Sequence, residues 1–283
     1  MSGRLSTPRR VVTKPTRGIK DLSKTTMSTV DKALSLLRFF SATRAELGLS
    51  ELARISGYDK TTTLRCLTAL ERNGFVEQNV VSRKYRVGVA PIHLAQIREQ
   101  SFPIRSVILP HLEKLAKTIG ETAHGTLMIG QTARAIAVSE PDRALFVHVD
   151  TSSVLPWHAT ASGLAIAAFV SEDTQEALWD AGNFEAFTKE TPTDRTCVEN
   201  AIQTCQIEGV ARAPLTFDKD VIGTAAPIFG QGQTAIGSIA IAAVALRVTP
   251  ELQSLIDTEL RNTSRTITHE LGGRIAAIQD IRL

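Results

Sequence analysis

Cysteine is scarce in this 283-residue chain, which holds only Cys66, Cys197 and Cys205. No two of them stand in CxxC spacing, so neither a disulfide framework nor a zinc site is expected. Cys197 and Cys205 are expected on one helix, too far apart to bridge. No uninterrupted apolar run approaches membrane-spanning length, and the basic N-terminus lacks an apolar segment of the signal-peptide kind. A cytoplasmic, reducing setting without membrane contact is the expectation. Catalytic signatures are missing too: there is no GxSxG elbow, HExxH, P-loop or convincing paired-carboxylate motif. Gly230, Gly232 and Gly237 superficially resemble a phosphate loop, but no helix follows them, as a dinucleotide fingerprint requires. His93, His111, His124, His148 and His269 lack metal-ligand spacing, and each is expected to be structural. No catalytic residue, metal or cofactor is therefore anticipated.

What the chain does have is concentrated in GLSELARISGYDKTTTLRCLTALERNGFVEQNVVSRKYRVG, residues 48–88. It reads as a short helix, a tight turn, a second helix opening with Thr and Arg, and a two-stranded ribbon tipped with basic residues. That is a winged helix-turn-helix, which sets one helix to enter a DNA major groove. Ser50 is expected to N-cap the first helix, with Leu49, Leu52 and Ile55 inward and Gly57 as its stop. Asp59 is expected to cap the second helix, which should run to about Asn73 before Gly74. There Leu64, Leu67 and Leu70 predict one apolar stripe, with Thr63 nearer the buried side. Lys60, Thr61, Thr62, Arg65 and Arg72 are then candidates for phosphates and base edges, helped by Arg83 and Lys84 on the ribbon. Phe75 and Val76 should form the first strand and Tyr85 to Val87 the second.

Charge is divided unevenly. The net charge is +3, yet the first hundred residues carry about +10 and the remainder about −7. One part suits a polyanion and the other does not. Residues 1–26, rich in Ser, Thr, Arg and Lys, read as a disordered arm. Its Arg9, Arg10, Lys14 and Arg17 either reach DNA or are simply solvated. From Thr29 a helix is expected, with Val30, Ala33, Leu34, Leu37 and Phe40 packing inward. The division expected is 27–88 for the winged helix, 89–102 for a linker helix and 103–283 for a second domain. Ile92, Ala95 and Ile97 of the linker are available for pairing two protomers.

The second domain alternates helices and strands. An amphipathic helix is predicted over 104–119 (Val107, Leu112, Leu115, Ile119), then a hairpin of 122–129 and 134–139 turning at Gly130 and Gln131. ALFVHVD (144–150) predicts another strand. A small-residue helix follows at 161–170. The helix at 172–181 bears Glu172, Asp173, Glu176 and Asp180, which read as a solvated face rather than acid–base chemistry. DVIGTAAPIFGQGQTAIGSIAIAAVAL reads as two strands joined at GQGQ, and a long helix is predicted over 250–279.

Taken together, these segments resemble IclR-family transcriptional regulators over roughly residues 27–275. YDKTTTLRCLTALERNGFVE stands where that family has its recognition helix, and KYRVG where the wing returns. GETAHGTL, LPWHATASGLAIAAF and TAAPIFGQGQTAIGSIAIA match in the C-terminal half. The resemblance implies an α+β chain: a winged helix-turn-helix joined by a linker helix to a GAF-like antiparallel-sheet domain. It further implies a small-molecule effector that alters operator binding by a homodimer or tetramer, more often as a repressor.

By the same resemblance, Thr126, His158, Thr160 and Ser162 are expected as polar contacts to the effector. Gly223, Thr224, Ala240 and Ala242 are expected at or near the cavity. For His158 the alternative is an imidazole held by a backbone carbonyl while it fixes a loop. The chain departs from the family at Leu215 and Thr216, where acids are common, and at Gly223, where Cys is frequent. Ala240 and Ala242 replace the usual serines. A more apolar cavity follows, suited to an aromatic or apolar carboxylate. Two rivals remain: an enzyme of small-molecule metabolism with an appended DNA-binding domain, and an architectural DNA-binding protein with no ligand.

Overall fold

The computed structural model describes residues 28–41, 43–129, 132–151, 154–180 and 184–273. Two compact units divide the chain, one running to Gly88 and the other starting at Val89. The expectations for the basic arm, for the hairpin tip at Gly130 and Gln131, and for the last helix beyond residue 273 lie outside the described residues.

The first unit contains α1 (Thr29–Leu36), α2 (Leu49–Ser56), α3 (Lys60–Arg72), β1 (Val76–Gln78) and β2 (Tyr85–Val87). Its core is Leu36, Leu47, Leu52, Cys66, Leu67, Leu70, Val76 and Tyr85. Three local expectations are corrected here. Leu36, not Leu34, is buried in α1, and Val30 is exposed. The helix tightens into a 3₁₀ turn at Leu37–Phe39, which breaks the 3.6-residue period on which the expectation rested. Gly48, not Ser50, is the N-cap of α2. Leu47 is tied into the ribbon by reciprocal backbone bonds with Tyr85 at 2.9 and 2.8 Å, so the chain leaves the extended state directly after it. In α3 the inward line is Thr63, Cys66, Leu67 and Leu70, whereas Leu64 is 44% exposed. A three-residue repeat falls about 60° short of a full turn at each step, so Leu64 rotates off the stripe that Leu67 and Leu70 define. Gly57 and Gly74, with φ of +73° and +71°, take left-handed conformations where α2 and α3 end.

The second unit opens with α4 (Ala90–Ser101) and α5 (Ile104–Ile119). Its sheet is formed by β3 (Thr122–Ile129), β4 (Thr132–Ser139), β5 (Ala211–Pro214), β6 (Val221–Phe229) and β7 (Ala235–Val244). The strand order is β4-β3-β7-β6-β5, antiparallel throughout. Helices α5 and α9 (Pro250–Glu270) cover one face, burying Ile108, Leu112, Leu115, Ile239, Ile241 and Leu260. The other face is covered by α6 (Ala161–Ala167) and α8 (Arg195–Glu208), with α7 (Glu172–Asp180) outside them. Strand alternation sorts β7 cleanly: Ile239, Ile241 and Ala243 face α5 and α9, and Ala240 faces α6. Cys197 and Cys205 both lie on α8, and the acids of α7 are exposed, as anticipated.

Residues 144–150 are not a strand. Their apolar alternation mimics one, but β4 already forms that sheet edge and makes its outer bridge with Leu155 instead. The segment crosses the α6 face of the sheet and is pinned by Thr122, whose hydroxyl donates to the Val147 carbonyl at 2.6 Å. The small-residue helix stops at Ala167, one turn short of expectation. No helix among the described residues is long and apolar enough to cross a membrane.

Candidate functional site

Two places in the molecule gather chemistry, one in each unit. In the first unit, Asp59 leaves the helix in an extended conformation, and its carboxylate accepts the Thr62 N–H at 2.8 Å and the Thr62 hydroxyl at 2.7 Å. The Thr62 hydroxyl, then its N–H, holds the Asp59 carboxyl below the usual carboxylate range. This cap fixes the first turn of α3 and leaves Lys60, Thr61, Arg65 and Arg72 exposed. Thr62 is half-buried and its proton is committed to Asp59, so only its oxygen lone pairs remain for other partners. Thr68 is exposed on the line that runs from Thr61 through Arg65 to Arg72. Sequence reasoning missed it, although the wheel finds it once the buried line is centred on Cys66 and Leu67.

The ribbon ends in a built turn. Asn79 Oδ1 accepts the N–H groups of Val81 and Ser82 at 2.9 and 3.1 Å, and Gln78 Nε2 donates to the Arg83 carbonyl at 2.8 Å. Arg83 sits at φ +57°, an uncommon backbone state for a non-glycine residue. Arg83 and Lys84 are exposed, and so are Val80 and Val81 at the tip, which the sequence did not single out. No ion pair among the described residues engages Lys60, Arg65, Arg72, Arg83 or Lys84; by contrast, Arg86 is paired to Glu77 at 2.5 Å. Five cations and two hydroxyls thus face solvent on one helix and one ribbon.

The second place is a cavity of about 250 Å³ between the sheet and α6. Its walls include Val147, Val149, Leu155, Ala161, Ala213, Phe217, Val221, Ala240 and Ala242. At about 30 Å³ per water, that is room for roughly eight waters, or for one substituted ring. Of the expected residues, Thr160, Ser162, Gly223, Ala240 and Ala242 line it. Three do not. His158 gives its Nε2 to the Glu185 carbonyl at 3.1 Å and packs its ring against Phe184, so it fixes a loop, the alternative already weighed. Thr224 lies on the α9 side of β6, where its hydroxyl accepts from Gln253 at 3.0 Å; one step along a strand changes the face. Thr126 is wholly buried further along β3 and does not reach the cavity.

Thr160 lines the cavity but is occupied structurally. Its hydroxyl donates to the Pro156 carbonyl at 2.9 Å and accepts the Gly163 N–H at 3.2 Å, capping α6. Thr160→Ala should lower stability by about 1 kcal/mol through loss of the cap. A melting temperature indistinguishable from wild type would show that the cap carries no such weight. Gly163 lets this turn lie on Trp157, because a Cβ there would meet the Trp157 backbone. At Gly223, by contrast, a Cβ would meet Ala161 Cβ at an ordinary 3.4 Å, so the position accepts a side chain directed at the cavity.

The residue that sequence reasoning set aside is His124. It lies on β3 directly across from Ala240 of β7 and lines the cavity. Its Nε2 meets Ser162 Oγ at 3.1 Å, while Nδ1 has no hydrogen-bond partner among the described residues. Burial pushes its pKa down to about 4, so the imidazole is neutral near pH 7. Leaving such a polar atom unpaired costs about 1–3 kcal/mol, which a ligand group placed beside it recovers. Among the described residues no Lys or Arg lines the cavity; its carboxylates, Asp150 and Asp218, are exposed on the covering loops. The resulting hollow has apolar walls, one buried imidazole–hydroxyl pair at its floor, and acids at its rim. Among the described residues no group of His, Cys, Asp and Glu is arranged to hold a metal ion.

Known proteins share both halves. Residues 29–80 match the model of the IclR helix-turn-helix domain, and residues 98–269 match that of the bacterial transcriptional regulator IclR C-terminal domain. The HTH-type transcriptional regulator XynR of Escherichia coli is 24% identical over 87% of this chain and 98% of its own. The glycerol operon regulatory protein of Streptomyces coelicolor is 25% identical over 87% of this chain and 97% of its own. A crystal structure described as a putative IclR transcriptional regulator from Silicibacter superposes with TM-score 0.82 at 35% identity, covering 87% of this chain and 97% of that one. An IclR homologue from Microbacterium hydrocarbonoxydans, crystallised with 4-hydroxybenzoate, superposes with TM-score 0.71 at 20% identity, covering 87% and 99%.

Proposed function

The chain belongs to the IclR family of transcriptional regulators, and from that premise we propose a ligand-responsive repressor whose cavity receives an aromatic or apolar carboxylate. Lys60, Thr61, Arg65, Arg72, Arg83 and Lys84 contact operator DNA, with Arg65 placed for a base edge and Lys84 for a phosphate. The observation that carries the effector half is the unpartnered Nδ1 of His124 inside apolar walls built from Gly223, Ala240 and Ala242. Such a hollow favours a ligand with one polar end and a hydrocarbon body. The aromatic acid in the Microbacterium structure has the same chemistry, which supports the class without naming the compound.

A thermal-shift screen of full-length protein against small organic acids, their amides and neutral aromatic compounds tests this reading. A ligand that binds only the native state raises the melting temperature. Aromatic or short apolar acids should do so in a concentration-dependent way. Stabilisation by the amides or neutral aromatic compounds alone would contradict the assignment.

The protein is further proposed to act as a homodimer or tetramer. Ile92, Ile97 and Phe102, on and just after α4, are all exposed, and a single helix-turn-helix reaches only a few base pairs. Light scattering should give a dimer or larger, and operator protection should be two-fold symmetric. A monomer that still binds operator tightly would overturn this.

A further inference from the structure

We propose that His124 is the acid-recognising residue of the cavity, holding the effector's carboxylate as an imidazolium, so that binding takes up one proton. The inference rests on the reading of the cavity as a site for organic acids and adds the residue and the proton to it.

The geometry points to a solution of this kind. A carboxylate drawn into the cavity meets no Lys or Arg among the described residues of its walls. Burying an unpaired carboxylate is costly enough that the group neutralises or finds a partner. The described rim carries carboxylates, Asp150 and Asp218, and so offers the acid end no cationic partner. At the floor stand His124 and Ser162, both buried. An imidazolium has two N–H donors and no acceptor. One faces Ser162 Oγ at 3.1 Å, which can accept, and the other is at the nitrogen that lacks a partner among the described residues. A carboxylate oxygen brought to Nδ1, which is wholly buried when no ligand is bound, completes the set.

Among the described residues no other titratable neighbour of His124 is placed to take this part. Ala240 and Ala242 of β7, Gly223 of β6 and Ala161 and Ser162 of α6 do not titrate. The titratable groups on the cavity are Asp150, Asp218 and His148, all exposed, and His148 is paired with Glu140 at 3.0 Å. Without an acid bound, burial keeps the His124 imidazole neutral, with a pKa of about 4. An opposite charge at contact distance raises it. The complex therefore holds one proton more than its free partners, and affinity must fall as pH rises between the two values.

The test uses full-length protein and the most stabilising acid from a panel of aromatic and short apolar monocarboxylates, 4-hydroxybenzoate among them, each with its amide. Isothermal titration at pH 6, 7 and 8, in buffers of different ionisation enthalpy, counts the protons. The expected result is uptake of about one proton and about tenfold weaker binding per pH unit. His124→Gln should lose the proton uptake and flatten the pH dependence while still binding the amide, and His148→Gln should keep the wild-type slope. ¹⁵N NMR of labelled histidine should show His124 protonated only in the complex. An acid that binds wild-type protein equally at pH 6 and 8 with no proton uptake overturns the role of His124 and leaves the cavity reading standing. If no acid of the panel binds at any pH, the carboxylate reading falls and this inference with it. If the His124 variant does not fold, the ¹⁵N spectrum of the wild-type complex decides the matter, because an acid bound as the neutral carboxylic acid takes up the same proton but leaves His124 neutral.

Discussion

Ala240→Leu is expected to abolish the response to effector while leaving operator affinity near that of wild type. Ala240 is 1% exposed, faces α6 from the middle of β7, and lies directly across from His124. Three added carbons at that point project into a cavity of only about 250 Å³ and take the volume of the ligand's body beside the imidazole. The DNA-reading face belongs to a separate compact unit with its own core, so it has no reason to lose its fold. Overpacking typically costs about 1–3 kcal/mol, so the melting temperature must be followed alongside. Gly223→Cys is the milder companion, because a Cβ there meets nothing closer than 3.4 Å. It should fold normally and shift preference toward more polar ligands. A well-folded Ala240→Leu protein that binds effector and answers to it like wild type would place the pocket elsewhere.

Arg65→Ala should weaken binding to operator by about 1–3 kcal/mol and relax discrimination at one base position. Arg65 stands on the solvent line of α3 between Thr61 and Thr68, with no ion pair among the described residues to divert it. Lys84→Ala at the ribbon should act differently, weakening every sequence alike and reducing the salt slope by about one phosphate contact. Titrations on operator and scrambled duplexes at several salt concentrations separate the two. Operator affinity unchanged in the Arg65 variant would remove it from the base-reading set.

Local signals were legible in the sequence and convergent ones were not. Asp59 and Gly57 announce their roles because capping and left-handed turns depend on a few adjacent residues. The β6–β7 hairpin was readable for the same reason: two apolar runs flank GQGQ. Leu64 failed because a three-residue repeat is not the helical period. Residues 144–150 failed because alternation does not say whether a sheet edge is free to receive the segment. β5 went unread because it is a four-residue edge strand ending in Pro214, short and poor in strand-forming residues. His124 is the instructive case. Between Ala123 and Gly125 it looks like a satisfied core histidine, and only the meeting of β3, β7 and α6 shows that one ring nitrogen is left without a partner. Thr224 and His158 show the reverse, where a plausible residue type is turned to another face or another bond.

The central claim is that occupancy of the α6-side cavity changes what the DNA-reading unit does. Operator affinity measured by fluorescence anisotropy, with and without a saturating amount of the acid that most raises the melting temperature, tests it most directly. The account predicts that the ligand shifts operator affinity at least fivefold in wild-type protein, roughly the lower bound of allosteric coupling, and does not shift it in Ala240→Leu. Operator affinity identical with and without a ligand that demonstrably binds the wild-type cavity would contradict it.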